Sequence, residues 1–174
     1  CTQTIIDHTD LIRNLVNEIA TFARFTTANP EHCELPALSQ ETVARYREGH
    51  PDIEFHINVA GDVPTMRLDR QQIKQTLINL IDNAIASIRT VGEISITVAH
   101  RPEEKTVTLV VADTGAGISD MAKTRIFEPD FTTKKSGMGL GLAIVSTIIS
   151  DHNGRITVAD NSPQGARFII ELPV

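Results

Sequence analysis

Two glycine clusters about twenty residues apart limit what this chain can fold into more than any other feature. Asp113-Thr114-Gly115-Ala116-Gly117-Ile118 follows directly on Thr106–Ala112, a run rich in Val and Leu. That run reads as a buried strand, so a single carboxylate is delivered to a strand's end. Gly137-Met138-Gly139-Leu140-Gly141-Leu142 leads into Ala143-Ile144-Val145 and on to Ile148-Ile149. The apolar spacing there is helical, and the first N–H groups of a helix have no partner within it, which makes a seat for phosphate. Either cluster alone is also what an ordinary turn requires. A carboxylate at one end and an anion site at the other together suggest a nucleotide.

A third segment adds the metal chemistry a nucleotide needs. From about Asp69 to Arg89 the spacing predicts a helix, with Ile73, Leu77, Leu80, Ala84 and Ile88 on its apolar stripe. Asn79 and Asn83 lie four apart and therefore share a face off that stripe. Asn is a poor helix former, so two on one face call for a reason. An amide oxygen is a neutral hard ligand, suited to Mg²⁺ that already carries phosphate oxygens and waters.

Asn79-Leu80-Ile81-Asp82-Asn83, Asp113 to Gly117, Phe127-Glu128-Pro129-Asp130-Phe131 and Gly137 to Gly141 come in the order and spacing of the N, G1, F and G2 boxes. The chain thereby resembles, over about residues 33 to 174, the catalytic and ATP-binding domain of sensor histidine kinases. These form a branch of the superfamily (GHKL) that includes gyrase B, Hsp90 and MutL. The stretch Phe127 to Lys134 looks most like the nitrogen-regulation kinases of the NtrY and NtrB type. The resemblance implies ATP and Mg²⁺ as cofactors. It gives Asp113 the adenine amine to hold, with Gly115, Gly117 and Ile118 against the base, Asn83 the metal, and Asn79 a place near the phosphates. Residues from about Ser119 to Met138 are then the ATP lid, anchored through Phe127 and Phe131. Thr132, Thr133, Lys134 and Lys135 are candidates to meet the phosphates, together with the glycine-rich turn Gly137, Met138, Gly139, Leu140, Gly141 and Leu142. Asn79, Asn83 and Lys134 are the expected catalytic residues.

Two departures from the family pattern bear on the site. Ala86 stands where many members carry Lys, so phosphate charge falls to Lys134 or Lys135, and Asp130 stands where a large residue is common. Water-hydrolysing relatives carry a Glu general base four residues before the metal asparagine; here that place is Asn79, an amide that takes no proton near neutral pH. The resemblance thus implies phosphoryl transfer to a histidine rather than to water, for relay to a response regulator receiver domain. The alternatives are a non-catalytic ATP- or ADP-binding module and an ATPase of the gyrase B or MutL kind.

With 174 residues and 41% hydrophobic content, the chain can bury one core beside an appendage. A net charge of −6 argues against nucleic acid as a partner. With no apolar run of about 18 residues and no signal peptide, the piece reads as cytoplasmic, whether or not its parent is an inner-membrane sensor. Cys1 and Cys33 lack metal-ligand spacing and read as small apolar residues.

Ile5, Ile12, Leu15, Val16, Ile19, Phe22 and Ala23 give a partner-facing seam on one long helix over residues 1–28. By resemblance this is the second helix of the dimerisation and histidine-phosphotransfer hairpin, within a full-length homodimer. The breaks at Asn29-Pro30 and Pro36 predict a hinge over 29–38, and residues 39–174 form the catalytic domain. A helix is expected over about Gln40–Glu48, and strands at Ile53–Ala60, Glu93–His100, Thr106–Asp113, Gly154–Ala159 and Arg167–Leu172. The expected fold is an α/β two-layer sandwich of the Bergerat type: a mixed five-stranded sheet with helices on one face, preceded by the long helix. His8 lacks the following acid and nearby Pro of a family acceptor, so no acceptor histidine is expected in the chain.

Overall fold

The computed structural model describes residues 28–129, 131 and 139–174; the seam helix expected over residues 1–28 lies almost wholly outside them. Strands β2 (Ile53–Ala60), β4 (Gly92–Arg101), β5 (Thr106–Asp113), β6 (Arg155–Asp160) and β7 (Ala166–Pro173) form one sheet in the order β2-β4-β5-β7-β6. The β2–β4 pair is parallel and the other three are antiparallel, so the sheet is mixed as expected. Its strands alternate because only one face is covered. Ile94, Ile96 and Val98 of β4, Val107, Leu109 and Val111 of β5, and Phe168, Ile170 and Leu172 of β7 are all buried on that face.

Helices α1 (Leu35–Arg47), α2 (Arg70–Ser87) and α4 (Leu140–Asp151) cover the face, and a short α3 (Asp120–Lys123) follows β5. Ile73, Leu77, Leu80 and Ala84 form the buried stripe of α2. Asp69 caps this helix: its Oδ1 accepts from Gln71 N and Gln72 N at 3.0 Å. Such a cap satisfies two of the donors a helix start leaves open. Ile144, Val145, Ile148 and Ile149 of α4 complete the core.

Two features differ from expectation, and both involve the segment before β2. The hinge expected over residues 29–38 contains β1 (Glu31–Cys33), which pairs antiparallel with β3 (Met66–Leu68) in a two-stranded ribbon. A three-residue strand is too short for an alternation pattern to reveal it. Pro36, taken as a break, sits in the first turn of α1, where proline's missing N–H costs nothing, so the helix begins at Leu35 rather than near Gln40. Leu35, Leu38 and Cys33 are fully buried, so this segment is part of the domain's core.

His152 closes the far end of the helical layer. Its Nε2 accepts from the backbone N–H of Asp69 at 2.9 Å, and its Nδ1 lies 2.7 Å from Ile148 O. It ties the end of α4 to the start of α2.

Candidate nucleotide site

Asp113 is the last residue of β5, and the pleat that buries Val107, Leu109 and Val111 brings its carboxylate inward to 3% exposure. Its Oδ1 accepts from Gly115 N at 2.8 Å and from Ser87 Oγ at 3.0 Å. Among the described residues every hydrogen bond to this carboxylate falls on Oδ1, which leaves Oδ2 for a ligand. A buried carboxylate held by two donors is fixed in direction.

The loop after Asp113 is clamped from two sides. On one side Ala116 N donates to Ser87 O at 3.2 Å, and a Cβ on Gly115 would lie 1.9 Å from Ser87 Oγ. Gly115 is therefore required by its packing on the end of α2, a reason independent of any bound base. On the other side the β6–β7 turn reaches over. Asn161 Nδ2 donates to Asp113 O and Gln164 Nε2 to Thr114 O, both at 2.8 Å. A Cβ on Gly165, which has φ +105°, would fall 1.9 Å from Asp113 O. Pro163-Gln164-Gly165 reads in the sequence only as a turn; nothing local in it shows that the turn braces the Asp113 loop, because the Gln164–Thr114 bond spans 50 residues.

The N box joins both glycine clusters. Asn79, Asn83 and Ser87 recur every four residues along one face of α2, and eight residues of helix span about 12 Å. At one end Ser87 holds Asp113. At the other, Asn79 Nδ2 donates to Gly141 O at 3.1 Å in the first turn of α4, while Asn79 Oδ1 accepts from Gln75 Nε2 at 3.0 Å. Asn79 was expected near the phosphates; here its amide is used twice, as a tether between α2 and α4. A carboxylate in its place would set a negative oxygen against the Gly141 carbonyl. Asn83 stands half-buried midway along the stripe.

The opening of α4 suits an anion. Gly139 is its N-cap in the left-handed conformation (φ 70°), a backbone state that glycine adopts without strain, and among the described residues no side chain caps the helix. The N–H groups of its first turn are thus left for a ligand. Thr132, Thr133, Lys134, Lys135, Gly137 and Met138 lie outside the described residues, as does Asp130.

At the near end of the segment expected to form the lid, Ile126 is buried and Phe127 stacks edge-on against Phe168, with ring centres 6.4 Å apart. Phe131 lies beneath the Arg125 guanidinium at 5.0 Å, and Ile118 packs against the core. Lys123 Nζ bridges Asp120 at 2.8 Å and Asp160 at 2.7 Å. Hydrogen bonds from these two carboxylates, Asp120 first, push the lysine's pKa up and keep it charged. Ala86, at the position vacated by the family lysine, is exposed.

A family model described as histidine kinase-, DNA gyrase B-, and HSP90-like ATPase matches residues 68–174. The nitrogen regulation protein NtrY of Azorhizobium caulinodans is 33% identical over 99% of the chain, which spans 23% of that protein. Full-length ShkA, solved in complex with AMPPNP, matches 96% of the chain with a TM-score of 0.82 and 30% identity, and the match covers 36% of ShkA. Histidine kinase ThkA, solved in complex with the response regulator protein TrrA, matches 98% of the chain and 49% of its own length, with a TM-score of 0.81 and 30% identity. The chain is thus similar to a part of each of these proteins.

Proposed function

The chain belongs to the histidine kinase-, DNA gyrase B- and HSP90-like ATPase family and carries the ATP-binding catalytic domain of a two-component sensor histidine kinase, and from that premise we propose how its residues act. In this reading residues 39–174 bind ATP with Mg²⁺ and transfer the γ-phosphoryl group to a histidine on the phosphotransfer hairpin of the same kinase. The phosphoryl group then passes to a response regulator receiver domain, the kind of partner with which ThkA was solved. Residues 1–28 would supply the second helix of that hairpin, in a parent that dimerises.

The polar stripe of α2 carries the proposal: it joins the fixed carboxylate of Asp113 to the uncapped start of α4, a span suited to a nucleoside triphosphate lying along it. Asp113 Oδ2 accepts from the adenine amine, with Gly117 and Ile118 beside the base. The first-turn N–H groups at Leu140, Gly141 and Leu142 receive phosphate oxygens. Thr132, Thr133, Lys134 and Lys135 of the lid, with Gly137 and Met138, close over them, and Lys134 supplies the charge that Ala86 does not.

Asn83 fits Mg²⁺ by donor type and by position, a half-buried amide midway between base and phosphate sites. Such an ion, when bound, neutralises charge on the phosphate oxygens. The protein's own part is to position the phosphate chain in line with an incoming imidazole and to offer no base to water. Asn79 meets the last condition, since its amide takes no proton and is held by Gly141 and Gln75. That favours transfer over the hydrolysis of the gyrase B kind.

Titration calorimetry tests the base assignment. The chain should bind ATP at least about tenfold more tightly than GTP, because guanine turns a carbonyl oxygen toward Asp113 where adenine offers a donor. Equal affinity for the two nucleotides would contradict it.

A further inference from the structure

We propose that Ser87 is a positioning residue for base recognition, fixing which oxygen of Asp113 faces the nucleotide; the inference rests on the reading of Asp113 as the adenine acceptor. A carboxylate at a strand end can rotate about its Cβ–Cγ bond, and although both of its oxygens accept, a rotating one aims a lone pair at the base amine only part of the time and so gains less from that donor. Two donors stop the rotation here: the Gly115 N–H at 2.8 Å and the Ser87 hydroxyl at 3.0 Å, both on Oδ1.

The Gly115 N–H belongs to the same loop as Asp113, so it moves when the loop moves. Ser87 stands on a different element. It is the last residue of α2, and its backbone carbonyl receives Ala116 N; its single hydroxyl proton faces two acceptors, Ala84 O at 2.8 Å and Asp113 Oδ1 at 3.0 Å, of which the charged carboxylate is the stronger. The loop thus cannot shift away from α2 without breaking two bonds to one residue. The fit leaves no slack, since a Cβ on Gly115 would meet Ser87 Oγ at 1.9 Å and Ser87 C at 2.7 Å. A serine is the side chain that supplies a donor at this depth with so little room.

A further consequence follows from the spacing. Ser87 lies on the same stripe as Asn83, one turn on, so the helix that would carry the metal ligand also sets the direction of the base acceptor. Base and phosphate ends are referred to one rigid body, and an error in either is not absorbed by loop motion.

The test compares ATP with purine riboside triphosphate, which lacks only the 6-amino group, on the intact chain, Asp113→Ala and Ser87→Ala. The wild-type chain should prefer ATP by roughly ten- to a hundredfold, and Asp113→Ala should abolish the preference. Ser87→Ala should keep a folded protein, alanine being well tolerated at a helix's last residue. It should narrow the preference by roughly three- to tenfold, with affinity for purine riboside triphosphate nearly unchanged. A merely structural role for Ser87 would weaken both nucleotides alike and leave their ratio intact. An unchanged ratio in Ser87→Ala, with the preference lost in Asp113→Ala, overturns the role of Ser87 and leaves the adenine reading standing. No preference in the wild-type chain overturns the adenine reading, and this inference with it.

Discussion

Asn83→Ala is expected to reduce phosphoryl transfer by at least about a hundredfold, because loss of metal neutralisation at the phosphates removes several kcal/mol of transition-state stabilisation. The fold should survive. Asn83 lies on the half-buried polar face of α2, away from the stripe formed by Ile73, Leu77, Leu80 and Ala84, and alanine is the better helix former. The preference for ATP over GTP should also survive, since Asp113 ends β5 and is held by Ser87, one turn of α2 beyond Asn83. Transfer kinetics with an acceptor histidine, alongside nucleotide binding, separate the two effects. Transfer at the wild-type rate would show that Asn83 holds no catalytic metal.

Asp113→Ala should weaken ATP roughly ten- to a hundredfold, the range for a hydrogen bond to a charged group of about 1.5–3 kcal/mol. It should also destabilise the domain modestly, because the Gly115 N–H loses its acceptor in a buried loop, whereas the Ser87 hydroxyl keeps Ala84 O. Asp113→Asn makes a sharper prediction. Ser87 and Gly115 are donors, so they select the amide oxygen for the Oδ1 position and turn its NH₂ toward the base. That group opposes the adenine amine and matches the guanine carbonyl, so the variant should lose ATP affinity and gain GTP affinity. Competition calorimetry with both nucleotides reads the inversion; an Asn variant that still favours ATP would place the base elsewhere.

Most of the sheet was legible because its strands are covered on one face. The alternation in Thr106–Asp113 and Ile53–Ala60 marks both ends of those strands, and β4 extends only a residue beyond the expected Glu93–His100 at each side. The β1–β3 ribbon was not legible, since Glu31–Cys33 and Met66–Leu68 are too short to show a period and lie 35 residues apart. Pro36 misled for a related reason: proline punctuates a chain equally well as a break or as the first turn of a helix, and only the burial of Leu35 and Leu38 decides between them.

The site was legible where glycines and paired amides mark it, and opaque where it depends on contacts between distant segments. Asn79 was recognised as a site residue, but its bond to Gly141 crosses 62 positions and could not be read from its neighbours. Ser87 and Asn161 carry no local signal, and Gln164 carries only that of a turn. Each is an ordinary polar residue until β5, α2 and the β6–β7 turn meet around Asp113.

Transfer of labelled γ-phosphate tests the central claim most directly. The chain is incubated with Mg²⁺ and ATP, with and without a phosphotransfer hairpin that bears an acceptor histidine followed by an acid. The account predicts that label appears on the hairpin as acid-labile, base-stable phosphohistidine, and that the chain incubated alone acquires none. Release of the label as inorganic phosphate with no transfer to the hairpin, or phosphorylation of the chain itself at His8, would contradict it.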